Sequence, residues 1–204
     1  MSNMLVGINH LIGAPVMSLQ TGQPLAHLDS PIINPRNLRI VAFYVSGPKV
    51  DFKPAVVFTD DIREFGEIGA IVDSSDNVLS PEGMVRLLEV INYNFLLTGL
   101  PVSDDHHQKI GKVDSFTVDP VNFMIRQLYV KPTLLQRFLV ANVVINRQQI
   151  IKIEPKRIIV KAPTVQQKQA SPGSEGSHFL DPKLDNPFRK KPTPSPNQAR
   201  SDDN

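Results

Sequence analysis

"NPRNLRIVAFYV", residues Asn34–Val45, returns 85 residues later as "DPVNFMIRQLYV", Asp119–Val130. Each stretch opens on an Asn-Pro or Asp-Pro turn signal and runs into a strand-like segment. In the first, Val41, Phe43 and Val45 alternate with Ile40, Ala42 and Tyr44, a period-two pattern that is apolar on both faces. In the second, Arg126, Leu128 and Val130 alternate with Ile125, Gln127 and Tyr129. A turn-strand unit that occurs twice in one chain predicts an internal repeat.

Working outward, the neighbours repeat as well. "GAPV" (Gly13–Val16) returns as "GLPV" (Gly99–Val102), and "AIV" (Ala70–Val72) returns as "IIV" (Ile158–Val160), at offsets of 86 and 88. Three anchors in one order, with slowly drifting offsets, predict two copies of one fold that differ by short loop insertions. Further turn signals fall at Thr21-Gly22, Ser46-Gly47-Pro48 and Glu154-Pro155. Several short strands per copy, with no helix inside the repeat, predict a mainly β protein made of two tandem small antiparallel barrels. A domain of that size buries only about 60% of its unfolded surface, so two docked copies are expected to be more stable than one.

Between the copies, "SPEGMVRLLEVINYNF" places Ser80 as N-cap, Pro81 at the first helical position and Glu82 in the first turn. Met84, Leu87, Leu88, Ile91 and Phe95 fall at helical spacing on one face, which predicts a connecting helix. From Pro163 the composition shifts, and 7 of the 18 prolines lie among Ser, Gln and Lys. Such a segment cannot bury enough apolar surface to offset its ordering entropy, so a disordered tail is expected. The expected organisation is a first barrel at 1–79, a helix at 80–96, a second barrel at 97–162 and a tail at 163–204.

These motifs resemble the PRC-barrel family, which includes the cytoplasmic domain of the photosynthetic reaction-centre H subunit and the C-terminal domain of the RimM ribosome-maturation factors. The second copy carries the resemblance in "LTGLPV", "KIGKVDSFTVD", "FMIRQLYV" and "INRQQIIKIEPKRIIV". The first carries it in "LIGAPVMSLQTGQPLAHLD" and "FTDDIREFGEIGAIVD", with Ala26 where the second copy has Gly111. The resemblance implies a non-catalytic adaptor that docks on a larger assembly, and it brings no catalytic residues.

Charge divides the chain. Residues 1–80 hold 5 basic and 8 acidic side chains, residues 97–161 hold 10 and 5, and the net charge of +2 hides the contrast. With no cysteine there is neither a disulfide framework nor a Cys-type zinc site. The start of the chain shows no signal-peptide pattern. The longest apolar run, Phe138–Ile145, is far shorter than a membrane span. A cytoplasmic bacterial protein without a transmembrane segment is the expectation.

Asp104, Asp105, His106 and His107 look like a metal site, but neighbouring side chains in an extended segment point to opposite faces. Zinc wants ligands converging from separated positions, so the run reads as a turn. Asp60-Asp61 has as its counterpart in the other copy "RQQI" (Arg147–Ile150), without a carboxylate, and lacks a His or a third acid, so it too reads as a turn. His10, His27 and His178 are isolated. The basic set Arg147, Lys152, Lys156 and Arg157 is the candidate for facing nucleic acid or another anion, although solvated edge positions explain it as well. In the tail, Phe179, Leu180, Leu184 and Phe188 are candidate anchors for a protein partner. Arg189, Lys190 and Lys191 add weak attraction to a membrane surface or RNA.

No active site, cofactor site or metal site is read. The expected function is a PRC-barrel adaptor or scaffold. The alternatives are an RNA- or ribosome-associated assembly factor using the basic second barrel, and an enzyme with an unrecognised polar pocket.

Overall fold

In the computed structural model the two turn-strand segments occupy equivalent places in two sheets. The structure describes residues 4–132 and 143–161. The tail anchors and Arg189–Lys191 lie outside them. In chain order the elements are β1 (Val6–Gly7), α1 (Ile8–Leu11), β2 (Pro15–Ser18), β3 (Pro24–Asn34), β4 (Arg39–Ser46), β5 (Ala55–Phe58), β6 (Glu64–Gly66) and β7 (Gly69–Val72). Then come α2 (Val85–Asn92), β8 (Pro101–Asp104), β9 (Lys109–Val118), β10 (Ile125–Pro132), β11 (Val143–Asn146), β12 (Ile150–Glu154) and β13 (Arg157–Val160). The fold is mainly β.

One sheet runs β5-β4-β3-β2-β7-β6 and the other β11-β10-β9-β8-β13-β12, so each strand of the first has its counterpart six labels later. Both sheets are antiparallel except at one place. There β2 pairs parallel with β7 (Val16 opposite Ala70), and β8 pairs parallel with β13 (Val102 opposite Ile158). Between the fourth and fifth strands each half makes a short 3-10 turn, at Thr59–Asp61 and at Arg147–Gln149. This equates Thr59 with Arg147, a shift of one residue from the alignment read off the sequence. The single turn α1 precedes the first strand of the first half, outside the expected pattern.

The strict alternation expected in β4 and β10 does not hold. Val41 is an extra residue between the pairs Ile33–Ile40 and Ile32–Ala42, and Arg126 is its counterpart between Ile125–Val118 and Gln127–Thr117. Each is a bulge, which shifts the side-chain phase by one. Ile40, Phe43 and Val45 therefore share the main core, as do Ile125, Leu128 and Val130. Two more bulges recur in step, at Asp29-Ser30 and Asp114 and at Leu25 and Ile110.

The "G-x-P-V" anchors explain how each first hairpin closes. Gly13 and Gly99 take φ of 84° and 85°, a left-handed conformation natural to glycine. Gly13 N–H donates to Leu28 O and Leu28 N–H to Ala14 O. Gly99 N–H donates to Val113 O and Val113 N–H to Leu100 O in the same reciprocal way.

The halves meet along the two repeated turn-strand segments, Asn34–Val45 and Asp119–Val130. Ile40 N–H donates to Phe123 O at 3.0 Å, and Ile125 N–H donates to Leu38 O at 2.9 Å. The two bonds are related by an approximate two-fold exchange of the copies. Leu38 and Phe123 are both left-handed, with φ of 50° and 55°. Asn34 and Asp119 hold the two turns by accepting from the N–H groups of Arg36 and Val121. Phe43 and Phe123 pack edge to face with centroids 6.2 Å apart, a pairing that stabilises beyond its buried area. β1 adds to the edge of β9, pairing Val6 with Val118. A single buried cluster runs through both halves, from Leu11, Leu28 and Phe43 to Leu97, Phe116 and Leu128.

Helix α2 is shorter than the expected 80–96. Gly83 has φ of 79°, incompatible with a helix, and Ser80 Oγ accepts from Glu82 N–H within a turn instead of capping. Asn94, with φ of 46°, closes the C-terminus by donating its N–H to Ile91 O. Met84, Leu87, Val90 and Ile91 pack on Ile32, Ala42 and Val56, so the helix covers the outer face of the first sheet.

Candidate functional site

The residues that looked most like chemistry form the turn between β8 and β9. Asp104 is buried, and its carboxylate accepts the N–H groups of His106 (3.0 Å) and Gln108 (2.7 Å). His107 takes φ of 62°, as the tight turn requires, and the His106 ring is largely exposed. Ser18 holds the same place in the first half, where its Oγ accepts from Thr21 N–H. Among the described residues no three His, Cys, Asp or Glu side chains gather as a metal site would need. Asp60 and Asp61 lie in the first 3-10 turn, where Asp60 pairs with Arg39, and Arg39 Nε also donates to Asn122 O across the seam. His10 and His27 are exposed.

The basic candidates separate into different environments. Glu154 bridges Lys152 (2.9 Å) and Arg157 (2.7 Å), and these two, Lys152 first, hold its carboxyl below the ordinary range. Lys156 is exposed in the hairpin turn between β12 and β13. Elsewhere in the second half Arg126 pairs with Asp119 and Lys131 with Asp114. Much of the positive charge read from the sequence is thus compensated locally. Arg137 lies outside the described residues.

Arg147 differs from the others. It stands in the second 3-10 turn and is partly buried. Desolvation, and then the charge of Arg126, lower its pKa from the ordinary value. Its Nη1 is buried and has no hydrogen-bond partner among the described residues. Arg147 and Lys152 line a cleft of about 470 Å³ between β12 and the Pro35–Leu38 turn of the other half.

A second depression, of about 480 Å³, is more apolar and draws on both halves. Its walls include Ile8 and Ile12 beside α1, Ile32 and Tyr44 of the first sheet, Ile91 of α2 and Phe116 of β9. Ile12 is 47% exposed and Leu96, on the rim, is 73% exposed, so its edge offers large apolar side chains to solvent. No periodic pattern marks these residues, because they come from five separate segments. The one local signal was the apolar doublets "LI" and "LL" ahead of the "G-x-P-V" anchors.

Compared with known protein families and with curated proteins, the sequence matches none. Among the described residues, no helix is long and apolar enough to cross a membrane.

Proposed function

We propose that the chain is a non-catalytic adaptor of two PRC-barrel-like halves, working in the cytoplasm by docking on a larger protein assembly. The observation that carries this reading is the apolar groove between the halves, rimmed by Ile12 and Leu96. Clustered exposed apolar surface costs solubility unless a partner covers it. The matching strand order and matching bulges support the tandem-barrel description. The tail residues Phe179, Leu180, Leu184 and Phe188 supply a second contact in this proposal, with Arg189–Lys191 contributing weak attraction to an anionic surface.

A second reading, association with RNA or the ribosome through the basic second half, is favoured by the concavity lined by Lys109, Lys112 and Lys131, of which Lys131 is paired with Asp114. One experiment separates the two. Tagged full-length protein is recovered from its native cells with and without nuclease, beside Ile12→Asp/Leu96→Asp and a form lacking residues 163–204. The adaptor reading expects a protein set that survives nuclease and is depleted by the groove variant. Loss on nuclease treatment supports the RNA reading instead. A set unchanged by the groove variant contradicts the groove as the docking surface.

A further inference from the structure

The two 3-10 turns fill the same position with opposite chemistry. In the first half Thr59 is 3% exposed, and its Oγ1 donates to Ile40 O (2.9 Å) and to Val41 O. The small hydroxyl is satisfied by the strand beside it. In the second half the position holds Arg147, whose buried Nη1 finds no acceptor among the described residues. Burying a guanidinium nitrogen without an acceptor is unfavourable, and a methyl or hydroxyl at the same place avoids that cost, as Thr59 does.

The surroundings say what would satisfy it. The cleft beside Arg147 is lined by Arg36, Gln148, Lys152 and Asn37 among apolar neighbours, and among the described residues no Asp or Glu lines it. Arg36 is oriented by Tyr93, whose hydroxyl accepts from its Nη2 and whose ring lies 5.6 Å from its guanidinium carbon. Lys152 is tied to Glu154 on its own strand. Three cationic residues, Arg36, Arg147 and Lys152, thus line one concavity, contributed by both halves. A guanidinium presents a planar fork of N–H donors matched to a tetrahedral oxyanion, and it stays protonated at neutral pH. At the corresponding seam of the other half Arg39 pairs with Asp60, a carboxylate of the protein itself in the role of counter-ion. Met124 and Gln148 stand at those two places in the second half, so that counter-ion is missing there.

We infer that the cleft between the Pro35–Leu38 turn and β12 is an oxyanion site for a small phosphate-bearing ligand, held by Arg147 and Lys152. The inference does not rest on the adaptor reading, since a phosphate site serves an adaptor or any other activity equally.

The test is titration of the full-length protein with inorganic phosphate and with pyrophosphate, in low-salt buffer free of other multivalent anions, followed calorimetrically. Saturable binding at one site is expected, weakened by roughly tenfold or more in Arg147→Gln. Arg147→Lys should bind more weakly than wild type, because a point charge cannot replace the fork. Lys152→Gln should also bind more weakly, while Lys156→Gln, outside the cleft, should bind as wild type does. No saturable binding of either probe to the wild type would overturn the assignment, as would binding that Arg147→Gln leaves intact. If Arg147→Gln does not fold, Arg147→Lys and the exposed Lys152→Gln decide the matter by the same criterion.

Discussion

Gly111 has no room for a side chain. A Cβ there would lie 2.0 Å from Lys131 O and 2.7 Å from Lys131 C, both backbone atoms of the paired strand. Ala26 occupies the same position in the first half, and there the glycine sits on the opposite strand: Gly47, whose Cβ would lie 3.0 Å from Ala26 Cα. Each half has one glycine at this close approach, on alternate strands, and Pro132 stands where Gly47 does. Gly111→Ala is expected to destabilise by about 3 kcal/mol or more, and Gly47→Ala by about 1 kcal/mol. Gly111→Ala with Pro132→Gly copies the first-half arrangement and should recover part of the loss. Denaturant titration checks the series, and a double variant no more stable than the single one would refute the exchange. A second residue-level expectation concerns Asp119. Burial pushes its carboxyl up, but Arg126, the Val121 N–H and Asn122 outweigh burial and hold it below its ordinary value of 3.8. The folded state thus binds that proton less readily than the unfolded state. The stabilisation is fully present above the unfolded value and is lost as pH falls through the folded one. Asp119→Asn keeps the turn, as Asn34 does in the first half, yet loses the charge on Arg126. It should cost about 1–2 kcal/mol at neutral pH, with Arg126 half-exposed, and the gap to wild type should narrow as pH falls below the ordinary carboxylate range. A gap constant with pH would contradict the pairing.

At the scale of elements, the repeat was legible because turn chemistry is local: Asn34-Pro35, Asp119-Pro120, Gly13 and Gly99 act within a few residues of themselves. The bulges at Val41 and Arg126 were not legible, because an extra residue is defined by its partner strand and not by its own neighbours. The helix shows the same limit. Spacing alone put Leu88 on the buried stripe, but Gly83 delays the helix start, and Val90 joins Met84, Leu87 and Ile91 against the first sheet. Leu87→Ala is therefore expected to cost about 2–4 kcal/mol and Leu88→Ala under about 1 kcal/mol, measured as shifts in the urea midpoint. Equal costs would restore the face read from the sequence. The cleft at Arg147 was half legible. The basic residue types stood in the sequence, but nothing local revealed that Glu154 answers Lys152 and Arg157 while Arg147 faces a turn of the other half.

At the scale of the molecule, the seam ties two similar sheets into one core. Ile40 and Ile125 each donate across it, Phe123 of one half packs on Phe43 of the other, and β1 of the first half completes the sheet of the second. Residues that share one buried cluster lose their burial together, so the main core of each half depends on the other, and only the small cluster under α2 belongs to the first half alone. Native-state hydrogen exchange read amide by amide tests this most directly, with Ile40, Phe43 and Val45 compared against Ile125, Leu128 and Val130. The two sets are expected to exchange through the same global opening, with free energies within about 1 kcal/mol of each other, and Phe123→Ala should lower both sets alike. Exchange of one set at a distinctly lower free energy, or a Phe123→Ala effect confined to the second half, would show two separately stable halves and contradict the account.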